Sequence, residues 1–229
     1  VVEGLHGADY SGPLTRLRET VDIVRLAFRG EKLVYDGKYH TLPRPGGEGK
    51  ALRLDHPPSP DLPICLATLG PKALEYTGAA ADGWLGTSFS PNHPEAHLQY
   101  LRRGAESAGR SLADLELQAA CSISMGDDVD ALIDARRPGV AFQMGAMGSA
   151  HTNFYNDAFQ RAGYTDDAKA IQRLWIEGKR EEAARRVPDA MVTEFGAVGT
   201  PEMIKDRFEL YHSVGITSLG IRIEEDDAA

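Results

Sequence analysis

The chain has 229 residues, 42% hydrophobic and 26% charged, the balance of a globular protein able to bury a core. A net charge of −9 argues against a nucleic-acid surface and leaves anionic ligands only a local basic pocket. No apolar run approaches a membrane span, and "VVEGLHGADYSGPL" lacks the order of a secretory signal, so a cytoplasmic protein with no membrane partner is expected.

In chain order, "PLTRLRETVDIVRLAFRGEK" carries Leu14, Leu17, Val21, Val24 and Phe28 at helical spacing and stops at Gly30. "KLVYDGKYHTL" places Asp36-Gly37 between β-type flanks, a hairpin signal. "PRPGGEG" and "DHPPSPDLP" are loops around a short extended piece, "KALRL". "LPICLATLGPKALEYTGAAADGW" reads as a short buried strand, a turn at Leu69-Gly70-Pro71 and a helix to Ala81. "GWLGTSF" is a second strand, followed by a helix with Leu98, Leu101 and Ala105 on one face. "LELQAACSISMG" is a third, long strand. Helical segments then follow, broken at Pro138-Gly139 and at Gly145/Gly148, with two more stopped near Gly178 and Pro188. Thr200 caps a well-marked helix with Pro201 at its first position, "TSLGIRIE" is a fourth strand, and an acidic tail closes the chain. No internal repeat appears. Helices separating short apolar strands imply parallel β-α units.

The Gly70-Pro71 junction raises a chemical question. A helix N-terminus offers unsatisfied N–H groups and the positive end of a dipole, so it can hold a phosphate. Strand-Gly-helix junctions that bind nothing are also common, and both readings stay open here. His151, Asn153, Tyr155 and Asn156 share a Gly-flanked stretch. It reads either as a loop closing over substrate or as a helix start with Asn153 as cap and Phe154 in the core. His93 and His97 have a metal-pair spacing, but Pro94 and the lack of a third ligand nearby argue against metal. His6, His40, His56 and His212 are scattered, and "GKREEAARR" reads as a solvated helix face. Cys65 and Cys121 lie in strand-like runs and read as buried reduced thiols; Trp84 and Trp175 read as core. No Gly-x-Ser-x-Gly, Walker loop or dinucleotide fingerprint is present.

Three stretches, "LPICLATLGPKALEYTGAAADGWLGTSFSP", "MGAMGSAHTNFYNDAFQRAGY" and "VPDAMVTEFGAVGTPEMIKDRFELYHSVGITSL", resemble the luciferase-like oxidoreductases. The nearest likeness is to the branch using the deazaflavin coenzyme F420. "L-A-x-L-G-P-K", then "A-D-G-W", and the late "V-G-T-P-E" are its most specific pieces. The resemblance implies an α/β fold of the (β/α)8 TIM-barrel type, with a flavin or deazaflavin at the C-terminal ends of the strands. This chain would be strands five to eight plus a hairpin insertion, one luciferase-like domain over 1–229, shortened at its N-terminus. The family's general acid/base histidine would precede Val1, so the resemblance assigns no catalytic residue here.

Matched residue by residue, the resemblance puts Ala67, Thr68, Leu69 and Gly70 against the cofactor's phosphate-bearing tail, with Lys72 as charge partner. A lysine on a first helical turn is otherwise simply solvated. Thr87 and Ser88 would offer hydroxyls to the same pocket, or cap the next turn. The implied activity is hydride transfer at coenzyme F420, or alternatively FMN, on a small-molecule substrate. The contrasting reading is an inactive, assembly-dependent half-barrel that binds at most the cofactor phosphate. Four parallel strands cannot close a barrel, so open strand edges and a homodimer are expected.

Overall fold

The computed structural model describes residues 2–223, Ile223 by its backbone alone. The expected acidic tail, 224–229, lies outside the described residues. The chain divides into two compact units, Val1–Ile64 and Cys65–Ala229.

The first unit holds a short exposed helix α1 (Val2–His6), helix α2 (Pro13–Phe28) and a small antiparallel pair, β1 (Tyr35–Asp36) and β2 (Thr41–Leu42). Helix α2 forms where its apolar spacing places it. Of the stripe only Val21 is buried, however, and the other fully buried residue of α2 is Glu19. The hairpin is real, but its turn is not the expected Asp36-Gly37 pair. Asp36 sits in β1, and the loop between the strands runs through residues 37–40. The backbone N–H groups of Lys38, Tyr39 and His40 all donate to the Glu19 carboxylate, at 2.7, 2.9 and 2.9 Å. Burial alone would raise the Glu19 pKa; these three donors outweigh it and hold the carboxyl below its usual range. An acidic side chain thus organises the loop. "KALRL" forms no strand.

The second unit is built on β3 (Cys65–Leu66), α3 (Pro71–Ala80), β4 (Gly83–Gly86), α4 (Glu95–Ser107) and β5 (Glu116–Met125). Helices α5 (Val129–Ala146) and α6 (Phe154–Phe159), a π-turn at Gln160–Tyr164, α7 (Thr165–Ile176), α8 (Arg180–Arg185) and α9 (Asp189–Glu194) follow. Strand β6 (Ala197–Gly199), α10 (Pro201–Ser213) and β7 (Ser218–Ile223) end it. All five strands are parallel. Strand β5 pairs β4 through Glu116–Ala119, β6 through Ile123–Met125 and β7 through Gln118–Ile123. Residues shared between pairings put β7 on one edge of β5, with β4 and β6 in tandem along the other. Among the described residues β3, β6 and β7 each have one partner, and the sheet is open at β3 and at β7. This is half of a (β/α)8-type barrel.

Three sequence expectations change. Strand β6 is a fifth strand, too short at three residues to show a period. The segment after Gly178 makes two helices, α8 and α9, where one was expected. Helix α5 runs unbroken through Pro138-Gly139 and ends at Ala146, within the expected Gly145/Gly148 break. Pro138 and Asp134, whose carbonyl loses its donor, both lie on the exposed side of α5. Gly145 is there for packing, because a Cβ would collide with the Trp175 ring.

Strand β5 alternates strictly. Leu117, Ala119, Cys121 and Ile123 are buried, and pack with Leu74 of α3, Leu101 of α4 and Tyr211 of α10. Trp84, Phe89 and His97 share this core, with His97 centroids 5.5 and 5.8 Å from the two aromatic rings. Cys121 is buried, Cys65 only partly, and both are free thiols. A second apolar cluster joins α5, α7, α8 and α9, with Trp175 half-buried against it.

Helices α3 and α4 approach closely enough that a Cβ on Gly78 would strike the Leu101 carbonyl, and one on Gly104 the Glu75 carbonyl. Gly78→Ala and Gly104→Ala are each expected to cost about 2 kcal/mol or more. Gly139→Ala, with nothing near its added Cβ, is expected to be neutral or mildly stabilising. Urea denaturation of the three variants checks this.

His97 is buried with neither ring nitrogen hydrogen-bonded among the described residues. Burial, then the Arg161 charge, depress its pKa to about 3. The unfolded chain therefore binds the extra proton first. Stability is fully present above about pH 6.5 and falls by up to about 1.4 kcal/mol per unit as pH drops toward 3. His97→Leu is expected to flatten that slope in melts between pH 7 and 4; an unchanged slope refutes the assignment.

Candidate functional site

The residues singled out by sequence gather where β3 and β4 deliver the chain to its helices. Ala67 is exposed directly after β3. Thr68 is buried, its Oγ1 2.7 Å from Thr77 Oγ1, while Thr77 donates to the Ala73 carbonyl at 2.9 Å. The Thr68 hydroxyl is thus spent inside the turn, and its carbonyl accepts Trp84 Nε1 at 2.9 Å. The Leu69 carbonyl accepts Arg161 Nη2 at 2.9 Å, and Arg161 Nε donates to the Ala96 carbonyl at 3.0 Å. Gly70 caps α3 in extended conformation, its carbonyl taking the N–H groups of Ala73 and Leu74 at 3.0 and 2.9 Å.

Pro71 has no N–H, so at this helix start Lys72 supplies the backbone donor that remains without a partner among the described residues. The Lys72 side chain is exposed. The junction is therefore narrower than its sequence suggested: one free N–H, the dipole end and a guanidinium tied to Leu69. Burial lowers the Arg161 pKa against the opposing pull of Tyr100 and Asp157.

Thr87 and Ser88 follow β4. Ser88 has φ of 52°, in the left-handed region that ordinary residues avoid. Its Oγ accepts Gln143 Nε2 of α5 at 2.8 Å. Both residues line a cavity of about 480 Å³ that extends across the even-numbered face of β5, past Ala120 and Ser122, to Gly220 and Arg222 of β7. Helix α5 covers it. Arg136 Nη1 donates to Ser124 Oγ at 2.8 Å, and Nη2 to Ser122 Oγ. Phe142, Met147, Val192 and Phe195 supply an apolar wall. Arg136, Gln143, Arg161 and Arg222 escaped sequence reasoning, because each meets the site through a fold contact and not a local motif.

The Asn153 stretch is a helix start. Asn153 Oδ1 accepts the Asn156 N–H at 3.0 Å, and Asn153 Nδ2 donates to the Met144 carbonyl at 2.7 Å. Asn156 Nδ2 bridges to Ala168 at 2.8 Å. Both amides are buried and used internally, whereas Phe154 is 40% exposed and not core, its ring beside Gly70. Tyr155 is half-buried and His151 exposed. His93 does not pair with His97. Its Nε2 lies 2.8 Å from Glu194 Oε2, which also accepts Tyr164 Oη at 2.5 Å. Burial first, then Glu194, raise the Tyr164 pKa. Among the described residues no three His, Cys, Asp or Glu side chains are grouped to hold a metal, and no helix is long and apolar enough to cross a membrane.

A family model for luciferase-like monooxygenases matches residues 1–218, and the chain belongs to that family. A putative coenzyme F420-dependent oxidoreductase of Mycobacterium tuberculosis is 34% identical over 227 residues, covering 96% of this chain and 65% of the relative. A 5,10-methylenetetrahydromethanopterin reductase of Methanopyrus kandleri is 27% identical, covering 92% of this chain and 57% of its own length. The solved coenzyme F420-dependent tetrahydromethanopterin reductase from Methanopyrus kandleri superposes with a TM-score of 0.71 at 27% identity, covering 95% of this chain and 59% of that one. An F420-dependent secondary alcohol dehydrogenase shares the fold at a TM-score of 0.68 and 18% identity, over 98% of this chain and 61% of that one. The chain thus spans less than two thirds of each of these relatives.

Proposed function

We propose that this member of the luciferase-like family serves as a flavin- or deazaflavin-dependent oxidoreductase, with coenzyme F420 as cofactor, FMN as the alternative, and a small molecule as substrate. The observation that carries this reading is the row of ligand-type groups at the C-terminal ends of parallel strands. A helix start with a free Lys72 N–H lies at β3, hydroxyls at β4, and a cavity over β5 and β7. Ligands favour that end of such sheets. The F420-using relatives support the choice of coenzyme.

When bound, the coenzyme supplies hydride transfer. This chain's own residues position it. Ala67, Leu69 and Gly70 form the turn against which its phosphate would sit, and Thr68 fixes that turn from within. The Lys72 N–H and side chain, with Arg161, supply positive charge to the phosphate, and Thr87 and Ser88 offer hydroxyls beyond it. The family match crosses both compact units, and we read 1–229 as one luciferase-like domain in the cytoplasm.

The open edges at β3 and β7 favour a second reading, an assembly-dependent half-barrel that keeps only the cofactor phosphate site. Both readings take a homodimer, because unpaired strand edges are pairing templates. Light scattering is expected to give twice the 24.9 kDa of one chain; a stable monomer overturns the dimer.

Fluorescence titration with F420, and separately FMN, tests the cofactor. F420 is expected to bind, and Arg161→Met to weaken it by about tenfold, a loss of about 1.4 kcal/mol. Binding of neither cofactor overturns the proposal. Binding without anaerobic turnover selects the half-barrel reading.

A further inference from the structure

We propose that the cavity across β4, β5 and β7 holds the oxyanion end of the substrate on Arg222, so that organic anions are selected over neutral molecules of the same shape. The inference rests on the oxidoreductase reading above and narrows its substrate to a class.

Position comes first. Along the sheet the order is β3, β4, β5, β7. The phosphate junction stands at β3 and the cavity opens from β4 onward, so a ligand at β7 lies about three strand spacings, roughly 14 Å, from that junction. That distance separates a substrate group from the cofactor's phosphate. A volume of about 480 Å³ suits a small organic molecule.

The cavity is two-sided. Phe142 and Met147 line one side and are 49% and 44% exposed, an apolar wall that a hydrocarbon body would cover. On the sheet side, Arg222 is the register partner of Ser122 and projects from the same face. Gly220, two residues earlier on that face, also lines the cavity, with the Gln118 amide nitrogen packed 3.0 Å from where a Cβ would stand.

Charge decides the class. Arg222 has no hydrogen-bond or ion-pair partner among the described residues, and no Asp or Glu among them lines the cavity. Arg136 is engaged with Ser122 and Ser124, and the proposal does not call on it. A guanidinium presents a planar fork that matches a carboxylate or phosphate in two hydrogen bonds.

The test pairs isosteres. Benzoate and benzamide, and in parallel phenylphosphonate (a phosphate analogue) and the neutral, tetrahedral benzenesulfonamide, are titrated into the full chain by ligand-observed NMR. The anion of each pair is expected to bind at least about tenfold tighter than its neutral partner. Arg222→Gln is expected to abolish that ratio while leaving neutral binding unchanged, and Arg222→Lys to restore part of it. The larger ratio between the two pairs names carboxylate or phosphate as the preferred group. Equal binding of anion and neutral partner, binding of none of the four, or a ratio that survives Arg222→Gln overturns the inference. F420 and FMN titrations on the same samples keep the two readings apart. Cofactor binding without anion preference sinks this inference alone, and anion preference without cofactor binding sinks the oxidoreductase reading instead.

Discussion

The structure of the second unit depends on the two-residue alternation of β5. Because successive side chains point to opposite faces, one strand builds a dry core with Leu117, Ala119, Cys121 and Ile123, and a solvent-facing floor with Ala120, Ser122 and Ser124. A slip of one residue would exchange the two sets. It would put hydroxyls against Leu101 and Tyr211 and leave leucine and isoleucine over the cavity. Strand β5 also pairs with three other strands, more than any other described strand, so the registers of β4, β6 and β7 are all set against it.

Helix α5 closes the arrangement from the other side. A proline inside a helix costs about 3 kcal/mol in the general case, and α5 still passes through Pro138. What outweighs that cost is apolar packing: Ile133, Ala141 and Met144 are buried among α7, α8 and α9. The helix is then tied to the floor by polar bonds, Arg136 to Ser124 and Gln143 to Ser88. Ser88 holds a left-handed backbone, which costs about 1–2 kcal/mol outside glycine. Such conformations persist where surrounding contacts over-determine them, and they concentrate at binding sites. The bond to Gln143 is one of those contacts.

Sequence periodicity revealed the parts whose signal is local. The helix of Thr200 and Pro201 has its cap, at 3.4 Å from Thr200 Oγ1 to the Met203 N–H. The long strand read from "LELQAACSISMG" is β5, and Leu98, Leu101 and Ala105 are core as their spacing required. What stayed hidden depends on distant residues. Strand β6 exists because β5 offers it an edge, and α5 continues past Pro138 because other helices hold it. Arg161 reaches Leu69 across 92 positions. Tertiary contact also settles Thr68: the residue match sets it in the turn against the cofactor tail, and its hydroxyl is consumed by Thr77, nine positions away.

The chemistry of the concave face bears on which of the two functional readings the fold suits. Parallel sheets are normally covered on both faces, and their strands are then apolar on both. Here the convex face obeys and the concave face does not, since Gln118, Ser122, Ser124 and Arg222 share it. A second copy laid over that face would strip water from the Arg222 guanidinium and the Gln118 amide, whereas the Ser122 and Ser124 hydroxyls already hold Arg136. Each unpaired polar group would cost on the order of 1–3 kcal/mol. The strand edges are different, because their free N–H and C=O groups gain partners when another strand arrives. Ile221, 50% exposed on the β7 edge, would also lose apolar surface to such a contact. Pairing through the edges and helices is therefore compatible with keeping the concave face wet and open to a ligand, whereas pairing face to face is not. A polar, partly charged floor under an apolar roof is poor material for an interface and good material for a binding site.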